Sequence, residues 1–276
     1  MKALITGASR GIGEAYAYRF AQLGYDLILT GRAEDLLQEV ALRISQQYPV
    51  EVETLTIELA DDNDLERLTL KIREYEDLHV LVNNAGFGSG TYFREEDFDD
   101  VDRMIKVHVR APLKLIHAAL PGMTAKNGGI IINVSSLGGK TPFPKSSVYS
   151  ATKSFIRIFS ETLHLETRNS NIFVQTLCPG FTKTHFHSRL GKNGTHIEKN
   201  GFIRWMTPEQ VVEISLNSLS KDKVICVPGF WNKLLWVTAG ILPRRIYYRL
   251  VSGLDKKQIP QERKVKTTIA SLSAGN

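Results

Sequence analysis

Along the first two thirds of the chain, short apolar runs ending in glycine or turn residues alternate with longer segments whose apolar positions recur every three or four residues. The runs "KALIT", "DLILTG", "EVETLTIEL", "VLVNNAG", "GIIINVSS" and "FVQTLCPG" read as buried strands, and most of them have continuous apolar cores, as strands do when helices cover both faces of their sheet. A later run, "KVICVPG", reads as one more strand. Between them, "GEAYAYRFAQLG", "AEDLLQEVALRISQQY" and residues 61–75, 98–120 and 147–167 predict helices. Such regular alternation predicts βαβ units and a parallel α/β sheet. Beyond "VPG" the pattern changes to "FWNKLLWVTAGILPRRIYYRLVSGL", apolar and aromatic with interleaved arginines. We therefore divide the chain into a domain over residues 1–229 and an amphipathic, basic extension over residues 230–276.

Composition narrows this reading in three ways. A hydrophobic fraction of 42% with 23% charged residues is ordinary for a chain that buries a sizeable core. Cys178 and Cys226 are too few for a disulfide framework and lie in no metal-ligand pattern, so a reducing, cytoplasmic setting is expected. The opening "MKALITGASRGIG" runs from a short apolar stretch straight into a glycine-rich turn, unlike a signal peptide, and no uninterrupted apolar stretch approaches the roughly 18 residues of a spanning helix. Charge is lopsided: nine basic residues stand against two acidic ones from Trp231 onward, +7 in a chain whose net charge is +6. The extension is thus the candidate for contact with an anionic membrane surface, or else it packs within the chain or a dimer. No nucleic-acid module is recognisable, and no such partner is expected.

The first strand turns into its helix through "TGASRGIG". Gly7, Gly11 and Gly13 allow a tight turn and the close approach of a pyrophosphate to amides at the positive end of the helix. The second strand ends in Arg32, where an acidic residue would take the ribose hydroxyls of NAD and an arginine accommodates the extra phosphate of NADP. Arg10 could bracket the same phosphate, so NADP(H) is expected in preference to NAD(H). In "YSATK", Tyr149 and Lys153 lie four residues apart on one helix face, which brings a phenol and an ammonium to one site.

With "TGASRGIG", "NNAG", Ser136, "YSATK" and "PGFTKT" in this order, the chain resembles the short-chain dehydrogenase/reductase family from about Met1 to Gly229. The resemblance implies a Rossmann-type, doubly wound parallel sheet of about seven strands. It implies that Tyr149 is the proton donor or acceptor at the substrate oxygen, that Lys153 lowers the phenol's pKa and reaches the nicotinamide ribose, and that Ser136 orients the carbonyl. For the cofactor it adds Ser9, Ile12, Glu58, Leu59, Asn84, Ala85, Gly86, Pro179, Gly180 and Thr182. Two positions depart from the family's pattern. His108 stands where many relatives carry the asparagine of a proton relay, either replacing it or packing within the helix; Glu58 stands where an aspartate is common.

After "PGFTKT" a long segment with few helix or strand signals offers Phe181, Phe186, Phe202, Ile203, Trp205 and Met206, which suits a lid over a lipophilic carbonyl or alcohol. His185, His187 and His196 in the same segment lack the spacing of a metal site, and no metal is expected. The expected activity is NADP(H)-dependent interconversion of a carbonyl and an alcohol in a homodimer or homotetramer. A cofactor-binding regulatory protein with little turnover, or a sugar-nucleotide epimerase, are the rivals.

Overall fold

The computed structural model of the chain describes residues 1–184 and 205–254. The lid residues Phe186, Phe202 and Ile203 and the histidines His185, His187 and His196 lie outside the described residues. The chain divides into two compact units, Met1–Ile241 and Leu242–Asn276.

In the first unit, strands β1 (Lys2–Thr6), β2 (Asp26–Gly31), β3 (Val52–Thr56), β4 (Leu78–Asn83), β5 (Gly129–Val134), β6 (Ile172–Leu177) and β7 (Ile225–Cys226) form one sheet in the order β3-β2-β1-β4-β5-β6-β7. All six pairings are parallel. The order reverses between β1 and β4, which opens a crevice at the carboxyl ends of those strands, the place where doubly wound folds take their ligands.

Helices α1 (Gly11–Gln22), α2 (Glu34–Gln47) and α7 (Pro208–Leu219) cover one face, burying Tyr16, Phe20, Leu37, Ile44 and Val211 against the sheet. Helices α3 (Asp62–Glu74), α5 (Ala111–Ala125) and α6 (Ser147–Glu166) cover the other, with Leu65, Leu68, Ile72, Leu115 and Leu163 inside. Each such side chain contributes about 1.5–3 kcal/mol on burial; Leu68→Ala, at a fully buried position, costs about 2–5 kcal/mol.

Local chemistry sets the helix ends. The Asp61 carboxylate accepts from the amides of Asn63 and Asp64, both at 2.9 Å, to start α3. Thr207 and Gln210 form a reciprocal capping box at α7. Helix α1 differs: its N-cap is Arg10, whose side chain makes no capping bond.

Two elements depart from the sequence-based expectation. The strand "EVETLTIEL" stops at Thr56 because Ile57 still donates to the Gly31 carbonyl at 2.9 Å while the next amide, Glu58, turns to the Asp64 carboxylate at 2.8 Å. Residues 98–120 are not one regular helix: α4 (Phe98–Ile105) passes through a π-turn, Lys106–Arg110, into α5. Val107 and His108 are both buried within this wider turn.

Helix α8 (Phe230–Ile241) falls within the first unit. Trp236 anchors it, packing with Leu137, Cys178 and Val227 and lying under the Lys140 ammonium at 4.6 Å. In the second unit the described element is α9 (Arg244–Leu254). Among the described residues no helix is long and apolar enough to cross a membrane.

Candidate active site

The glycine loop is built for an anion. Gly7 and Gly11 have φ of +64° and +62°, a region other residues rarely enter. A Cβ on Gly13 would sit 2.2 Å from the Gly7 carbonyl oxygen. The loop is held from below: Asn84 Nδ2 donates to the carbonyls of Thr6 (2.9 Å) and Gly7 (3.1 Å), and the Thr6 hydroxyl accepts from the amides of Asn84 (3.0 Å) and Ala85 (3.1 Å). Because no side chain caps α1, its first amides remain available to a ligand. This uncapped glycine cradle fits the pyrophosphate of a dinucleotide. Ile12 packs on the core behind it, and Ser9 lies beside Gly31.

At the adenosine end, Arg32 and Glu58 meet: Arg32 Nη1 donates to Glu58 Oε2 at 3.1 Å. Arg103 of α4 donates to the same oxygen at 2.9 Å. Leu59 is buried beneath them. Arg10, the N-cap residue of α1, lines a groove between α1 and α7 together with Gly11, Lys183 and Thr184.

The chemical centre sits where β5 ends and α6 begins. Ser136 Oγ accepts from the Gly138 amide at 3.1 Å and shares a hydrogen bond with the Tyr149 hydroxyl. Lys153, 5% exposed, donates from Nζ to the Val134 carbonyl at 2.8 Å, with its ammonium 5.9 Å from the Tyr149 ring centre. Ser135 points the other way and donates to the Lys153 carbonyl at 2.7 Å, fastening α6 to the strand end. A buried ladder repeats this deeper in the sheet, from Asn83 to Asn133 and from Asn133 to Ser160, each at 2.8 Å.

The expectation that Lys153 would draw the Tyr149 pKa down is not met by the protein's own groups. Shielding of the phenol from water raises its pKa to about 12, against the opposing hydrogen bond from Ser136. Burial also pushes the Lys153 ammonium down to about 8. The ammonium turns toward the Val134 carbonyl, and desolvation dominates both groups. At neutral pH the phenol keeps its proton.

His108 is held at both ring nitrogens. Nε2 accepts from the Phe87 amide at 3.0 Å, which leaves the proton on Nδ1, facing the Thr152 hydroxyl at 3.1 Å. Thr152 donates in turn to the Tyr149 carbonyl at 2.9 Å. The imidazole packs edge-on to Tyr149, ring centres 5.8 Å apart, and is 2% exposed. Burial, with Lys153 nearby, holds its pKa well below the ordinary histidine value. A Cβ on Gly86 would lie 3.0 Å from His108 Nε2 and 3.4 Å from Lys153 Nζ, so this glycine lets the loop pass between them.

Pro179 accepts from the Leu137 amide at 3.0 Å, Thr182 donates to the Gly180 carbonyl at 3.1 Å, and Asn232 of α8 packs against Gly180. The structure thus gathers Ser136, Tyr149, Lys153 and His108 into one cluster. It also adds residues that sequence reasoning did not flag: Thr6, Arg103, Asn133 and Thr152. Among the described residues no cluster of three or more histidine, cysteine or acidic groups is placed to hold a metal.

A dinucleotide cradle at the switch point, beside a tyrosine, lysine and serine at the end of β5, defines an NAD(P)-dependent oxidoreductase of Rossmann type. The family model for short chain dehydrogenase matches residues 1–194, and the chain belongs to this family. It is 31% identical to a very-long-chain 3-oxoacyl-CoA reductase of Rattus norvegicus over 258 residues, 92% of this chain and 79% of that protein. Among solved structures it is similar to a short-chain dehydrogenase from Sphingobium yanoikuyae in complex with NADPH, with TM-score 0.78, 29% identity, and coverage of 94% and 98% of the two chains. It is also similar to a bulky-bulky ketone specific alcohol dehydrogenase from Comamonas testosteroni, with TM-score 0.74, 25% identity, and coverage of 95% and 97%.

Proposed function

We propose that the protein is an NADPH-dependent reductase of a lipophilic carbonyl compound, a 3-oxoacyl thioester or a bulky ketone, with Tyr149 as the acid. The observation that carries this reading is the Ser136–Tyr149–Lys153 cluster, whose phenol is protonated at neutral pH and so is set to give a proton to a carbonyl oxygen. When bound, the nicotinamide supplies the hydride to the carbonyl carbon. Ser136 holds the oxygen through its hydroxyl, and Tyr149 passes its proton to that oxygen as the alcohol forms. Lys153 keeps a positive charge beneath the phenol, which favours the phenolate left behind. His108 is a positioning residue. Both of its nitrogens are spent on Phe87 and Thr152, so it fixes the loop after β4 to the catalytic helix and moves no proton itself.

Preference for NADPH rests on Arg32 at the end of β2, and a lipophilic substrate on the names of the relatives together with the packed pair Phe181 and Trp205 and the neighbouring Met206. The apolar stripe of Phe155, Ile158 and Leu165 exposed along α6 supports pairing of two copies through that helix. The outer face of α8 exposes Phe230, Trp231, Leu234, Val237 and Ile241, and the sequence from Trp231 onward carries +7, which together suit an anionic lipid surface.

The test is NADPH oxidation by purified protein over 3-oxoacyl-CoA esters of increasing chain length and a series of bulky ketones, with Tyr149→Phe alongside. Turnover that requires Tyr149 and rises with substrate size is the expected result. NADPH binding without turnover of any carbonyl would turn the assignment toward a cofactor-binding regulatory protein. Flotation with phosphatidylserine vesicles tests the α8 face; Trp231→Glu is expected to abolish it.

A further inference from the structure

The adenosine end of the crevice contains a charge arrangement that the glycine loop and Arg32 do not explain. One carboxylate oxygen, Glu58 Oε2, is gripped by two guanidinium groups from separate elements, Arg32 from the end of β2 at 3.1 Å and Arg103 from α4 at 2.9 Å. The carboxylate is itself pinned, since Oε1 accepts from the Ala60 amide at 3.1 Å and the Glu58 amide donates to Asp64. Arg103 is steadied from behind by the Phe87 ring, its guanidinium carbon 5.7 Å from the ring centre. The three side chains keep 41%, 33% and 38% of their surface exposed, and ion pairs this open to water add little stability, so they exchange partners at low cost.

Two guanidinium groups converging on one oxyanion is the arrangement that recognises a phosphate. A phosphate monoester, with more charge and three acceptor oxygens, fills such a fork better than one carboxylate oxygen. We propose that Arg103 is the second arm, with Arg32, of a two-guanidinium site for the 2′-phosphate of NADP(H), and that the Glu58 carboxylate is the chain's own occupant of that fork. Glu58 therefore competes with the phosphorylated cofactor and sets how strongly NADPH is preferred. This rests on the NADPH reading above, which invoked Arg32 alone.

The experiment isolates the adenosine end and needs no substrate. Binding of adenosine 2′,5′-bisphosphate and of 5′-AMP to the full chain is measured by calorimetry for wild type, Arg32→Leu, Arg103→Leu, Arg103→Lys and Glu58→Gln. Arg103→Leu is expected to weaken the bisphosphate about tenfold or more and 5′-AMP by less than about twofold, with Arg103→Lys between the two because it keeps charge and loses the fork. Glu58→Gln is expected to tighten the bisphosphate about threefold to tenfold without changing 5′-AMP. Equal weakening of both ligands by Arg103→Leu, or weaker bisphosphate binding in Glu58→Gln, overturns the proposal. If Arg32→Leu discriminates the two ligands while Arg103→Leu does not, this inference falls and the NADPH reading stands. If wild type binds both ligands equally and Arg32→Leu changes neither, both fall together.

Discussion

The two charge clusters of the crevice are built on opposite principles. Arg32, Glu58 and Arg103 sit a third or more open to solvent, where charges are screened and each pair is worth about 0–1 kcal/mol. Lys153 and His108 are 5% and 2% exposed, and there burial sets the ionisation of each group and of the neighbouring phenol. The first cluster can exchange partners cheaply and so suits selection among ligands. The second stores a desolvation cost in fixed positions, which suits one chemical step. Breaking the second should therefore cost far more than breaking the first.

The largest effect belongs to Tyr149. Tyr149→Phe keeps the ring against His108 and removes the acid; kcat should fall by about a hundred- to ten-thousand-fold while NADPH affinity, read by fluorescence titration, stays near wild type. Retention of full turnover would falsify the role given to this residue.

Lys153 comes next, and its removal separates activity from stability. Its folded pKa of about 8 lies below the ordinary lysine value of 10.5, so between those two values the unfolded chain binds the proton that the folded chain has released. The native ammonium consequently costs stability below pH 8, roughly 3 kcal/mol at most, and that cost fades as pH rises to 10.5. Lys153→Met should lose most turnover at every pH. Its melting temperature relative to wild type should be highest near pH 7 and decline steadily between pH 8 and 10.5. A difference that stays flat with pH would show that the ammonium is solvated in the native protein.

How much of this was legible in the chain follows from the same contrast. The glycine loop, the Tyr149–Lys153 pair and the seven-stranded sheet are local: a turn conformation, a helical spacing and a run of apolar residues each show within a few positions. The partners that finish each cluster are not. Arg103 meets Glu58 across 45 positions and His108 meets Thr152 across 44, contacts that the wound sheet creates and no spacing announces. The π-turn at Lys106–Arg110 was equally hidden, because helix periodicity carries no mark of a single widened turn. Trp236 looked like part of an apolar tail, yet it lies between the cations of Lys140 and Arg157 and fixes α8 beside the Ser136 loop. Composition saw the hydrophobicity of α8 but not which face the core takes.

A smaller effect is expected at His108. His108→Ala strands the half-buried Phe87 amide and empties a buried position, and should cost about 1–3 kcal/mol, measured by chemical denaturation. The pH dependence gives a finer reading. Because the folded imidazole stays neutral well below the ordinary histidine value of 6.5, the unfolded chain gains a proton that the native one refuses, and wild type loses stability as pH falls through that value. The alanine variant should lose this part of the acid slope, while the alkaline limb of its rate profile keeps its position.

The smallest effect is at Glu58, and it is the sharpest test of the contrast. Glu58→Gln breaks two ion pairs at once, yet both are exposed, so its stability should stay within about 1 kcal/mol of wild type. A melting temperature several degrees lower would mean that the fork from β2 to α4 carries structural weight, and the adenosine end would then resemble the catalytic end in kind. Unchanged stability with altered cofactor affinity would keep the two apart: one cluster spends little on the fold and is free to choose its ligand, while the other holds a lysine and a histidine beside the tyrosine where water cannot level their ionisation.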